Sequence, residues 1–230
     1  MLPLCSLILA SRSPRRQYLL REAGIPFTVR LKETNEDFPP ELSAEEIALF
    51  LCRKKALAFK NEIKKNEALV TADTIVWING KVLNKPCDEE EAISMLKMLS
   101  GKMHQVFSGV SIMNNRKCHS FYSESKVYFK KLSDDIVQKY VQERKPFDKA
   151  GAYGAQECLP VDDLPCSANE VLFLEKIGKI HMNTTCTKEE KDPKARFILV
   201  EKIEGSYFNV MGFPLREFFA ELKQFNCRFV

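Results

Sequence analysis

Glycine-rich nucleotide loops, paired cysteines and long apolar runs are all missing from this chain, and each absence removes a class of protein. No segment matches a Walker loop or G-x-G-x-x-G, so a P-loop or dinucleotide fold is not indicated. The eight cysteines include no C-x-x-C pair. Their tightest spacing, Cys158 to Cys166, suits no common zinc pattern. Scattered, reduced thiols are the expectation, and they point to a reducing, cytoplasmic setting. No apolar run approaches the ~20 residues of a membrane span. The start, MLPLCSLILA, has no basic n-region and runs straight into SRSPRR, so it reads as a first buried strand rather than a signal peptide or a lipid-anchor site at Cys5. Net charge is +4, from 35 basic and 31 acidic residues, too small an excess to argue for non-specific nucleic-acid binding. No internal repeat is visible.

What is present is an ordinary globular composition, 45% hydrophobic and 29% charged over 230 residues. A chain of this length buries roughly 70–75% of its unfolded surface. Leu4 to Ala10 reads as a strand buried on both faces. Ser13-Pro14 opens a helix that closes at Gly24. Phe27 to Leu31 is a second strand. Ser43 begins a helix whose inner face is Ile47, Ala48, Phe50, Leu51, Leu57 and Ala58. Ala68 to Ile78 is a β-branched strand, and Asn79-Gly80 predicts a hairpin into Lys81-Val-Leu. Asp88 caps a helix to Leu99. Strands over 104–113 and 118–132 follow, then a helix from Ser133 to Arg144. From Glu157 to about Arg196 the pattern loosens into an excursion with one short helix, Ala168 to Ile177. Phe197 to Ile203 returns to strand, and Leu215 to Phe225 is a closing helix. The alternation with a central hairpin predicts an α/β fold on a twisted mixed β-sheet with flanking helices. The whole of 1–230 is expected to be one domain with an excursion at about 157–196.

Four segments carry chemistry. In SRSPRR, Arg15 and Arg16 occupy a first helical turn, where the macrodipole disfavours cations by ~0.3–1 kcal/mol each. Two guanidiniums beside free backbone N–H groups suit an anion such as phosphate, although pairing with nearby acids such as Glu22 reads almost as well. In TADTIVW, Asp73 interrupts an apolar strand, where an unpaired carboxylate is costly. It is a metal ligand, a base, or a strand-end group on a backbone N–H. Lys85 follows the hairpin. Glu33, Glu36 and Asp37 cluster after the second strand; they are solvated carboxylates or, with Asp73, hard oxygen ligands of the kind Mg²⁺ or Mn²⁺ shares with a triphosphate. In FDKAGAYGAQ, small residues allow close backbone approach. There Lys149 adds charge, and Gln156 offers a donor and an acceptor suited to a base edge.

Taken in order, these segments resemble the Maf family of nucleoside triphosphate pyrophosphatases. The matching pieces are ASRSPRRQYLL, the KKA of 54–56, ADTIV, NKP, LSGKMHQVFSGV, DKAGAYGAQ and GSYFNVMGFPL, spread between Ala10 and Leu215. The resemblance implies two lobes around a central cleft. It implies that Ser11, Arg15 and Arg16 hold phosphates and that Asp73 is the proton acceptor. Glu36, Lys55 and Lys85 map onto its acidic and basic site residues, with Glu36 and Asp73 as the metal pair for Mg²⁺ or Mn²⁺. Arg15, Thr74 and Gln156 match the selectivity set of members acting on dTTP and UTP. The partner implied is a small nucleotide, with no nucleic acid and no membrane; a homodimer is a family expectation. Three features depart from the pattern: Asn35 where an aspartate often precedes the glutamate, Ser108 for a frequent threonine, and the excursion, longer than a usual connection. Two alternatives stand beside dTTP and UTP hydrolysis. One is the same reaction on a modified nucleotide such as 7-methyl-GTP. The other is a non-catalytic nucleotide- or RNA-binding regulator drawing on the basic stretch RKKALAFKNEIKK.

Overall fold

The computed structural model describes residues 4–160, 164–184, 197–225 and 228–229. The Asp162-Asp163 pair, Cys186, Cys227 and most of the polar run from 183 to 194 lie outside the described residues. In chain order the elements are β1 (Leu4–Leu9), α1 (Pro14–Glu22), β2 (Thr28–Val29), α2 (Ala44–Leu57), β3 (Glu67–Ile78) and β4 (Lys81–Leu83). Next come α3 (Glu89–Leu99), β5 (Met103–Met113), β6 (Cys118–Phe129), α4 (Asp134–Arg144), α5 (Ala155–Cys158) and α6 (Ala168–Lys176). The chain ends with β7 (Val200–Gly205), α7 (Tyr207–Val210), α8 (Leu215–Leu222) and β8 (Arg228–Phe229).

The strands form one mixed sheet in the order β2-β1-β3-β5-β6-β7, with β4 on β3 and β8 on β1. β1 runs parallel to β2, β3 and β8, whereas β3–β4 and β6–β7 are antiparallel. Local signals set most boundaries. Ser13, Asp88 and Ser133 accept from the third backbone N–H of α1, α3 and α4 at 3.5, 2.8 and 3.4 Å. Each cap supplies a partner to a donor the helix itself cannot satisfy and contributes about 1 kcal/mol. Asn79 and Gly80 take φ of 52° and 75°, the left-handed pair a two-residue hairpin needs, and they place Ile78 opposite Lys81.

The chain divides into two compact units. The first comprises Met1–Thr74, Phe107–Ser123 and Gly212–Val230. Its core gathers Ile8, Ala56, Phe59, Ile63, Leu69 and Met113, all buried. Removing such side chains from water contributes about 1.5–3 kcal/mol for each large one. α2 lies so close to β5 that a Cβ on Gly109 would stand 2.2 Å from the Ala48 carbonyl oxygen, so only glycine fits there. The second unit comprises Ile75–Val106 and Glu124–Met211. In it His104, Phe129 and Tyr153 meet edge to face, with centroids 4.8–5.4 Å apart. Glu170 of α6 is buried and accepts from Ser206 Oγ at 2.6 Å and from the N–H groups of Tyr207 and Phe208 at 3.1 and 3.3 Å. The excursion's helix thereby caps α7.

Several boundaries differ from those read in the sequence. β2 is two exposed residues rather than Phe27 to Leu31, because among the described residues it pairs only with β1, at the end of the sheet. β7 starts at Val200 rather than Phe197; Phe197 packs edge-on against Tyr140, with centroids 5.2 Å apart, instead of joining the ladder. On α2 Phe50 and Leu57 are exposed, and Cys52 and Ala56 take the inner face. Cys5 is disulfide-bonded, which corrects the expectation of reduced thiols throughout; Cys52, Cys87, Cys118, Cys158 and Cys166 are free. Among the described residues no helix is long and apolar enough to cross a membrane.

Candidate active site

The site grows from the end of β1. Ala10 N–H still reaches the Val70 carbonyl at 2.8 Å. The chain then turns through Ser11, whose buried hydroxyl accepts from Ser13 N–H at 3.2 Å and from Arg16 Nη1 at 3.3 Å. Pro14 sits at the first position of α1, where its missing N–H costs nothing, and no acidic residue stands in that first turn. Arg15 and Arg16 are therefore exposed to the positive end of the helix dipole without a carboxylate on the same turn.

Arg16 is turned inward. Its Nε donates to the Gly212 carbonyl at 2.9 Å, Nη1 to the Ala72 carbonyl at 2.8 Å and Nη2 to Thr74 Oγ1 at 3.0 Å. With the Ser11 bond, this one guanidinium ties together the ends of β1 and α1, the middle of β3 and the segment after α7. Burial pushes its pKa down; Asp73 and Glu36 act in the opposite sense, and Arg15 adds to the lowering. Thr74 Oγ1 also lies 2.8 Å from Ser108 Oγ and 3.3 Å from the Gly212 carbonyl oxygen. Gly212 holds its carbonyl there with φ of 103°, a conformation side-chain-bearing residues rarely adopt.

Asp73 is buried in β3 and pairs with Lys55 of α2. The same ammonium reaches Glu36 at 2.8 Å. Asp73 and Lys55 keep only 11% and 18% side-chain exposure, while Glu36 is half exposed at 54%. Lys55 thus links a buried carboxylate to one that reaches solvent, and the cost of burying Asp73 is offset by the paired charge. Ser11, Arg16 and Thr74 form one directly bonded group, and Glu36, Lys55 and Asp73 another. Both groups belong to the first unit, and Arg16 registers the fields of Asp73 and Glu36. The basic stretch from Arg53 is not a uniform stripe. Lys54 donates to the Asp37 carbonyl at 2.9 Å and Lys55 points to the two carboxylates.

Lys85 and Gln156 belong to the second unit. Lys85 is exposed in the link between β4 and α3. Gln156 is half-buried in α5; its Nε2 lies 3.5 Å from Glu157 Oε1, and its buried Oε1 has no hydrogen-bond partner. Lys149 is buried, 3.4 Å from Glu157 and 3.1 Å from Asp148. Sequence reasoning missed Gly212, whose role rests on a contact 196 residues from Arg16, and it gave Glu157 no part. Gly212 stood within a recognised motif, yet no pattern marks a carbonyl as an acceptor. For Glu157, the adjacency to Gln156 was the available signal.

No group of three or more His, Cys, Asp or Glu that could cage a metal occurs among the described residues. Glu36 and Asp73 offer carboxylate oxygens of the kind a hard divalent ion such as Mg²⁺ takes one or two at a time, completing its shell with water and substrate phosphates; here both are bonded to the Lys55 ammonium.

Fold and site define an α/β protein that sets two carboxylates and several cationic side chains in one electrostatic field just beyond the end of a parallel strand. The chain belongs to the family described as Maf-like protein, whose model matches residues 6–172. A protein of Flavobacterium johnsoniae called dTTP/UTP pyrophosphatase is 39% identical over 216 residues, 94% of this chain and 93% of its own length. One of the same name from Bacteroides fragilis strain YCH46 is 39% identical, with 95% of each chain covered. That of Phocaeicola vulgatus is 40% identical, again with 95% of each covered.

Proposed function

We propose that this chain is a nucleoside triphosphate pyrophosphatase that hydrolyses dTTP and UTP to the nucleoside monophosphate and pyrophosphate. One observation carries the reading: Asp73, buried on a central strand, is held by an ammonium shared with Glu36 and lies in the field of Arg16. Membership of the Maf-like family and relatives named dTTP/UTP pyrophosphatase along nearly the whole chain support the same activity.

In this reading Asp73 takes a proton from water as the water oxygen bonds to the α-phosphorus. The bond from that phosphorus to the bridging oxygen breaks, and the electron pair leaves with pyrophosphate. Lys55 fixes the direction of the Asp73 carboxylate through their ion pair. Arg15, Arg16, Lys55 and Lys85 supply positive charge for the triphosphate and the departing pyrophosphate, a form of help that depends on position. Arg16 also sets Ser11 and Thr74 in place, its guanidinium being the hub to which both hydroxyls bond. Arg15, Thr74 and Gln156 are assigned to selectivity, with Thr74 and Gln156 reading the pyrimidine. A divalent metal, Mg²⁺ or Mn²⁺, held by Glu36 and Asp73, would neutralise phosphate charge and polarise the phosphorus under attack.

The test is Asp73→Asn. The amide keeps the size of the side chain and removes its basicity. Pyrophosphate release from UTP should fall at least about 1,000-fold, while nucleotide binding followed by calorimetry stays within a few-fold of wild type. Undiminished turnover in that variant would show that Asp73 is not the proton acceptor.

A further inference from the structure

Three donors converge on the carboxylate of Glu157. Tyr140 OH donates to Oε2 at 3.2 Å, Lys149 Nζ lies 3.4 Å from Oε1, and Gln156 Nε2 lies 3.5 Å from Oε1. The Tyr140 hydroxyl in turn accepts from Gly154 N–H at 3.3 Å, and burial holds its proton well above the usual phenol range. The cluster is tight. A Cβ on Gly154 would meet Glu157 Oε1 and Lys149 Cε at 3.1 Å and Gln156 Nε2 at 3.2 Å. Glu157 and Lys149 keep only 11% and 10% of their side chains exposed.

An ionised carboxylate accepts and cannot donate. Whatever amide end faces Glu157 must therefore be the nitrogen. That choice turns Gln156 Oε1 away from Glu157, and this buried oxygen is the atom with no partner. A side-chain amide that could turn freely would offer either end to a ligand; this one cannot. The distinction matters for pyrimidines. Uracil and thymine donate at N3 and accept at O4, whereas cytosine accepts at N3 and donates from its 4-amino group. Turning the amide end for end interchanges the ring it matches.

We propose that Glu157 is the positioning residue for pyrimidine selectivity: it fixes the Gln156 amide with its unpartnered Oε1 turned away from Glu157, so that the site takes the N3–H of uracil or thymine and opposes the N3 lone pair of cytosine. This rests on the reading of Gln156 as the residue that meets the base. Lys149 holds Glu157 in place, and Tyr140 aligns its second oxygen. Glu157 acts through Gln156 and does not itself touch the nucleotide.

The experiment measures kcat and KM for UTP and CTP, by pyrophosphate release, in wild type, Gln156→Ala, Glu157→Gln and the double variant Lys149→Met/Glu157→Gln. The double variant removes the Lys149 charge together with that of its Glu157 partner, and thermal melts check that each variant is folded. In Glu157→Gln or the double variant, the UTP:CTP ratio of kcat/KM should fall about tenfold, mainly through KM, with kcat for UTP within about twofold of wild type. A fall in kcat shared equally by both nucleotides, with the ratio unchanged, overturns the proposal. If Gln156→Ala leaves the wild-type ratio intact, the reading of Gln156 itself has failed. If Gln156→Ala abolishes the ratio and the Glu157 variants keep it, that reading stands and the positioning role falls. A further measurement needs no variant. N3-methyl-UTP lacks the donor, so wild type should turn it over at least about tenfold less efficiently than UTP; equal turnover overturns the proposal.

Discussion

Replacing Arg16 by methionine tests whether its guanidinium holds the fold together as well as contributing charge. The substitution keeps most of the apolar stem and removes every donor. The Ala72 carbonyl loses its 2.8 Å partner and the Gly212 carbonyl its 2.9 Å partner, while Ser11 Oγ still accepts from Ser13 N–H and Thr74 Oγ1 keeps its contacts with Ser108 and Gly212. Hydrogen bonds from a charged donor contribute about 1.5–3 kcal/mol each, so the two carbonyl bonds together amount to about 3–6 kcal/mol. That is a large part of the ~5–15 kcal/mol by which a domain is stable. With an m-value near 2.5 kcal/mol/M, the urea midpoint should fall by roughly 1–2.5 M. Arg16→Lys restores the charge, but a single ammonium cannot reproduce the fork, so about half of that loss should remain. Equilibrium urea unfolding followed by far-UV circular dichroism reads both variants. A midpoint for Arg16→Met within about 0.3 M of wild type would refute the reasoning and leave Arg16 as a source of charge alone.

Other consequences can be checked alongside. Gly109→Ala places a methyl 2.2 Å from the Ala48 carbonyl oxygen; because backbone must move, we expect a loss of at least about 4 kcal/mol, seen as an early melt or insoluble protein. Glu170→Ala strips α7 of its buried cap and should cost about 3–5 kcal/mol in urea unfolding, whereas Glu170→Gln keeps one acceptor and should cost less. Burial pushes the pKa of His104 down to about 3. The unfolded chain, with a histidine near 6.5, therefore binds a proton that the folded one refuses. The neutral histidine's full contribution is present above about pH 6.5 and is lost progressively as pH falls towards about 3. His104→Gln, which still offers Tyr153 a partner, should flatten that part of the stability–pH curve; an unchanged slope would count against a buried neutral imidazole.

The parts of the fold that could be read from sequence are those decided within a few residues. Ser13, Asp88 and Ser133 cap helices because a short oxygen-bearing side chain meets its own backbone three residues on, and Asn79-Gly80 turns because both residues tolerate a positive φ. Asp73 stood out because a carboxylate within an apolar strand has to find a partner. What stayed hidden depends on distant neighbours. Nothing near Arg16 says that its side chain folds back onto Ala72 and Gly212. Nothing near Phe197 says that Tyr140 draws it out of the β7 ladder. Lys55 was marked only by likeness to a family; its span between Glu36 and Asp73 follows from how α2 crosses the first unit. The expectation that every thiol is reduced failed at Cys5 because composition cannot tell which sulfurs meet.

The double duty of Glu170 limits how this chain can be shortened. Its carboxylate closes the start of its own helix through Ser167, whose N–H and Oγ each lie 3.1 Å away, and it closes the start of α7 as well. Trimming the excursion from either flank can proceed only until it meets residues 167–170. Past that point a designer must provide a substitute acceptor for Ser206, Tyr207 and Phe208, or the turn into Asn209 loses its anchor.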